Sequence, residues 1–87
     1  KNTYTSDNKY LAVVTNNGLW IKDLVNQNKL IINATTIEGE RLKKVNISEF
    51  DERFNLLRII NSENVDISSN YWVLNNAVIL LENEKFG

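Results

Sequence analysis

The chain has 87 residues, a formal net charge of −1, 43% hydrophobic and 24% charged residues, and no Cys, His, Met or Pro. That balance fits one globular domain with a thin core, and it excludes disorder, a disulfide framework, thiolate chemistry and imidazole-based catalysis or metal binding. A charge so close to zero supplies no field that would draw the chain to nucleic acid or to an anionic membrane.

The first stretch, Lys1-Asn2-Thr3-Tyr4-Thr5-Ser6-Asp7-Asn8, is polar and reads as linker, so residues 1–9 are set apart and residues 10–87 are read as a single domain. With no Met at position 1, the expectation is a piece of a longer chain, and neither a transmembrane run nor a signal-peptide pattern occurs within it. From there turn chemistry divides the sequence at even intervals. Candidate strands are Tyr10–Thr15, Leu19–Asp23, Lys29–Ile37, Arg41–Phe50, Leu56–Asp66 and Tyr71–Glu82, all rich in β-branched and aromatic residues. Between them lie Asn16-Asn17-Gly18, Asn26-Gln27-Asn28, Glu38-Gly39-Glu40, Asp51–Asn55 and Ser68-Ser69-Asn70. Asn-Gly populates the positive φ angles of a tight hairpin.

In the fourth strand Val45 and Ile47 share a face opposite Lys44, Asn46 and Ser48. In the last, Trp72, Leu74, Val78 and Leu80 share one face and Val73, Asn75, Ala77, Ile79 and Leu81 the other, so its tail is apolar on both sides and calls for cover. A helix could be drawn through Glu49–Asn61 or Lys9–Val14; Asn55 and the Ile59-Ile60 pair oppose the first. The fold class expected is all-β: an open β-jellyroll or two-sheet β-sandwich of mostly antiparallel strands.

Reactive constellations are missing. The carboxylates Glu38/Glu40 and Asp51/Glu52 sit in turns, where charges are ordinarily solvated, and Asp51-Glu52-Arg53 lacks the alternating oxygens and central Gly of a calcium loop. No GxSxG, P-loop, GxGxxG or zinc spacing occurs, so no catalytic, cofactor-binding or metal residues are assigned and the chain is not read as an enzyme. The basic cluster Arg41/Lys43/Lys44 is flanked by Glu38, Glu40 and Glu49, which argues against a nucleic-acid groove. The triplets Asn33-Ala34-Thr35 and Asn46-Ile47-Ser48 match a glycosylation acceptor but fall within strands, a poor place for one.

Leu19-Trp20-Ile21 directs large side chains to both faces of a strand, and Trp20 is expected to anchor that strand in a thin core. The blocks Gly18-Leu19-Trp20-Ile21-Lys22-Asp23, Ile31-Ile32-Asn33-Ala34, Leu42 through Asp51, Leu56-Leu57-Arg58-Ile59-Ile60 and Tyr71 through Val78 follow one another in a particular order and spacing. In that order they resemble the periplasmic domain of the lipopolysaccharide-export permeases, the LptF/LptG (YjgP/YjgQ) family, and the Trp-x-Lys-Asp and Trp-x-Leu blocks are more similar to the LptG side. Ser62 departs from the small apolar residue common there.

The resemblance implies an open β-jellyroll inserted between transmembrane segments of an inner-membrane ABC-transporter permease and facing the periplasm. It implies a paralogous permease subunit, a cytoplasmic ATPase dimer and a neighbouring periplasmic jellyroll bridge protein as partners, with lipopolysaccharide as ligand and outer-membrane biogenesis as purpose. Energy would come from the ATPase, so no nucleotide or other cofactor is expected here. Candidate groove or core lining is Ile32, Val45, Ile47, Ile59, Trp72, Leu74 and Val78, and the sequence does not separate the two roles. The alternative is a β-sandwich interaction module that docks partners by edge-strand pairing and carries no lipid.

Overall fold

Short turns between strand-forming runs leave the chain few options but a meander. The computed structural model describes residues 2–5 and 11–83. Among them lie seven strands: β1 Asn2–Thr5, β2 Leu11–Thr15, β3 Gly18–Val25, β4 Asn28–Glu38, β5 Arg41–Phe50, β6 Leu56–Asp66 and β7 Tyr71–Glu82. Each is antiparallel to its neighbours in the order β1-β7-β6-β5-β4-β3-β2. The all-β, antiparallel expectation holds, and no helix occurs among the described residues. The hydrogen bonding joins the strands into one continuous sheet rather than two.

The N-terminal end brings one difference, and it bears out the strand expected from Tyr10 to Thr15 over its described part. Asn2–Thr5, read as linker, is a strand paired with Tyr71–Leu74; Thr and Tyr suit a strand, and the edge of β7 offers unpaired backbone groups. Leu11–Val14 is extended, not helical, while Lys9 and Tyr10 fall outside the described residues.

The hairpins use the residues their geometry demands. Asn26 and Gln27 both adopt positive φ (51° and 71°), as a two-residue type I′ turn requires. Gly39 (φ 61°) opens the turn between β4 and β5. In the β2–β3 hairpin the turn residues are Asn16 and Asn17, and the positive φ falls on Gly18 alone (105°). Asp51 organises the loop between β5 and β6: its Oδ1 accepts from the backbone N–H groups of Arg53 and Asn55 at 2.8 and 2.9 Å, and its Oδ2 from Asn55 Nδ2 at 3.0 Å.

The sheet is crossed by one transverse break. Thr35, Lys44, Glu63 and Asn76 occupy corresponding places on β4 to β7, yet drop out of ladders whose register is unchanged on either side. Lys44 and Asn76 carry positive φ there (52° and 54°). The pleat inverts across this row, so Leu42 and Val45 both face inward, as do Ser62 and Val65. Side chains occupy carbonyls that the break leaves over. Thr35 Oγ1 donates to Lys44 O at 3.4 Å, and Ser62 Oγ lies 2.8 and 2.7 Å from the carbonyl oxygens of Asn64 and Asn75, its one proton serving either.

A flat single sheet would leave a whole face wet. Here Leu30, Ile32, Ala34, Leu42, Ile47, Val65 and Leu74 are all at most 1% exposed, with no helix among the described residues to cover them. The sheet therefore curves so that these side chains gather in one apolar cluster.

Two outcomes follow from the turns. A Cβ at Gly18 would sit 2.3 Å from Ala34 O, in a backbone conformation that side chains resist. Gly18→Ala should lower stability by about 3 kcal/mol, and Gly39→Ala, which meets nothing within 4 Å, by about 1 kcal/mol; urea unfolding of both variants compares them. The Asp66 carboxyl is held below its ordinary 3.8, chiefly by the backbone N–H of Ser68, which donates at 2.9 Å, then by the Ser68 hydroxyl, with Arg41 assisting. Its depressed value favours the folded state above the unfolded-chain pKa, and that contribution disappears as pH falls through the folded value. Carboxyl NMR titration should find Ser68→Ala moving Asp66 upward only in part, since the backbone donor stays.

Candidate functional site

Because every pairing is antiparallel and the register holds across the middle of the sheet, side chains line up in rows across it. The central inward row is Ile21–Ile32–Ile47–Ile60–Ile79, one isoleucine from each of five adjacent strands. The first four are at most 2% exposed, and each contributes roughly 2 kcal/mol by burial. The row towards the break, Leu19–Ala34–Val45–Ser62–Ala77, is smaller, leaving room for the bend. Beyond the break, Leu42, Val65 and Leu74 pair in a third apolar row.

The inner face does not close at its edges. Val14, on the inward side of β2 opposite Leu19, is 76% exposed, and Ile79 at the β7 edge is 47% exposed. Leu80, bulged out of the β6–β7 ladder, is exposed beside it. The apolar interior thus continues to greasy lips on β2 and on the part of β7 past its pairing with β1.

At the opposite side from the break the inner face turns polar, with the row Asp23–Leu30–Glu49–Arg58–Glu82. Glu49 is buried, bonded to Arg58 and accepting from Asn28 Nδ2 at 2.8 Å. Arg58 Nε reaches Glu82 at 3.3 Å. Asp23 Oδ1 accepts from the Leu24 N–H at 2.8 Å, and its buried Oδ2 has no hydrogen-bond partner among the described residues. An open cavity of about 510 Å³ lies at this end, bordered by Asn28, Asp51, Glu52, Arg53, Arg58 and Glu82. Its carboxylates match or outnumber its cations, so it does not concentrate anions. Among the described residues no three His, Cys, Asp or Glu side chains gather where a metal could sit.

Five of the seven lining candidates, Ile32, Val45, Ile47, Trp72 and Leu74, belong to the buried inner cluster. The other two lie on the outer face. Ile59 pairs with Ser48 there, because Ile60 is the inward residue. Val78 is 57% exposed, because positive φ at Asn76 inverts the pleat between Leu74 and Ala77. Trp20 corrects another expectation: alternation turns Leu19 and Ile21 inward and leaves the indole outside, 40% exposed. The lips were missed; the tail of β7, apolar on both faces, carried the signal. No family model, no curated protein and no solved structure matches this chain.

The polar row yields a direct test. Removing the guanidinium in Arg58→Ala takes the ion-pair partner from the buried Glu49 carboxylate, and should cost about 3 kcal/mol; the double variant Arg58→Leu with Glu49→Leu should recover most of that in thermal unfolding.

Proposed function

We propose that this chain is a periplasmic domain of an inner-membrane ABC-transporter permease that exports lipopolysaccharide, serving as scaffold and as cover for the lipid. Its sheet is read as an open jellyroll-like roll, one sheet supplying both walls. The observation that carries the reading is the continuity of the inner face: the row of buried isoleucines runs out to half-exposed Ile79 on β7, and the row beside it, through Leu19, runs out to exposed Val14 on β2. The ordered blocks from Gly18 to Val78 support it independently.

The physics of the cargo accounts for such a surface. Moving acyl chains through water costs roughly 0.8 kcal/mol for each exposed CH₂. A wall of aliphatic side chains removes that cost without directional bonds, so the lipid is covered yet free to slide. The interior is filled by its own side chains, so lipid would enter where the lips part and spread the roll. No helix among the described residues is long and apolar enough to cross a membrane, and on this reading the spans belong to other segments of the permease. The paralogous subunit, the ATPase dimer and a neighbouring bridge protein are the partners it would work with.

A second reading, docking without lipid, is favoured by one feature. The side of β7 away from β6 is paired by β1 only at Tyr71–Leu74, leaving Asn75–Glu82 open among the described residues. Photo-crosslinking amino acids in the full-length protein in Gram-negative cells separate the two. Lipopolysaccharide adducts from Val14, Ile79 and Ile47, with none from outward Ile59, are the expected result. Adducts to protein alone, from the β7 edge, would replace the conduit with the scaffold.

A further inference from the structure

The outer face carries a row that the lipid reading leaves unused. Trp20, Asn33, Asn46 and Asn61 stand side by side on β3 to β6, each directly paired with the next. Val13 and Val78 close the row at either end. Neighbouring strands are about 4.8 Å apart, so Trp20 to Asn61 spans about 14 Å. The indole is 40% exposed, since neither Val13 nor Asn33 is large enough to cover it. On the break side of Asn46 and Asn61 a shallow groove of about 310 Å³ runs along the same face, with Lys44, Glu63 and Asn76 at its border.

The amides are held in place by one another and by the backbone. Asn33 Nδ2 lies 3.3 Å from the carbonyl oxygens of both Asn17 and Leu19, and Asn46 Nδ2 donates to Asn61 Oδ1 at 2.7 Å. Among the described residues this leaves Asn33 Oδ1 and Asn46 Oδ1 as acceptors and Asn61 Nδ2 as donor facing outward. The same bonds disfavour reading Asn33 and Asn46 as glycan acceptors, because the nitrogen that would be modified is the one already engaged.

We propose that this row is a saccharide-binding surface. A sugar ring presents a C–H face, which stacks on an indole, and a rim of hydroxyls that both donate and accept. A flat aromatic followed by two fixed acceptors and a donor matches that chemistry, whereas a lipid chain would find no use for the amides and a polyanion meets Lys44 beside Glu63 at the border. On a domain that handles lipopolysaccharide, the ligand would be the oligosaccharide part, held outside while the acyl chains lie within. The site itself stands on the outer face and does not need the lipid reading.

The test is an NMR titration of the ¹⁵N-labelled chain with core oligosaccharide released from lipopolysaccharide by mild acid, and separately with maltotriose. Saturable shifts of the Trp20 indole N–H and of the Asn46 and Asn61 side-chain amides are expected, with buried Trp72 unmoved. Trp20→Ala should weaken binding about tenfold, while Trp20→Phe, which keeps a stacking face, should stay within about threefold of the parent. Stronger binding of the core oligosaccharide than of maltotriose ties the surface to lipopolysaccharide, and equal binding supports a general glycan surface. The absence of saturable shifts with both sugars, or shifts centred on Trp72 and the isoleucine row, overturns the proposal. Either result is independent of the crosslinking outcome at the inner face.

Discussion

The contact on which this fold depends is the lateral packing of isoleucines across five strands. β-Branched side chains fit a pleated surface with little loss of rotamer freedom, and a row of them in direct register binds each strand to the next through its side chains as well as its backbone. Once Ile21, Ile32, Ile47 and Ile60 occupy one line, a slip of a single residue in any strand would turn that strand's apolar set to solvent. Register, and with it every other row on both faces, follows from this line.

A small sheet without helices has no second layer to hide its apolar face. The transverse break at Thr35, Lys44, Glu63 and Asn76 answers that by letting the strands bend together, with the small residues Ala34, Ser62 and Ala77 in the adjoining row. The left-handed backbone at Lys44 and Asn76 is locally unfavourable. It is offset by the burial that rolling makes available to Leu42, Val65 and Leu74 on the far side. The same rolling leaves the outermost strands uncovered, so the exposed lips result from how this core is formed.

The two faces consequently have different chemistry. Inside, non-directional aliphatic contacts end in a polar row where Arg58 bridges Glu49 and Glu82. Outside, a row of three asparagines, two of them bonded to each other, stands beside a part-exposed indole. An amphiphile with several acyl chains and a sugar portion has the same division, and the proposals for the two faces draw on it from separate observations.

Strand placement was legible in the residues: turn signals bounded β4 to β7 within a residue or two. The alternation of β5 near Val45 and Ile47 was read correctly because it lies on one side of the break. Val78 was placed on the wrong face because simple alternation was carried through Asn76, whose backbone reverses it. Trp20 was assigned to the core on size alone, although its neighbours Leu19 and Ile21 compete for the inward positions. What the sequence by itself determined is the set of extended segments and the character of each side chain, since strand propensity and turn chemistry act over a few residues. Which face each residue occupies, how the sheet closes on itself and which side chains form rows were decided only in the tertiary structure, because they depend on pairings between distant strands and on a bend that four strands must make together.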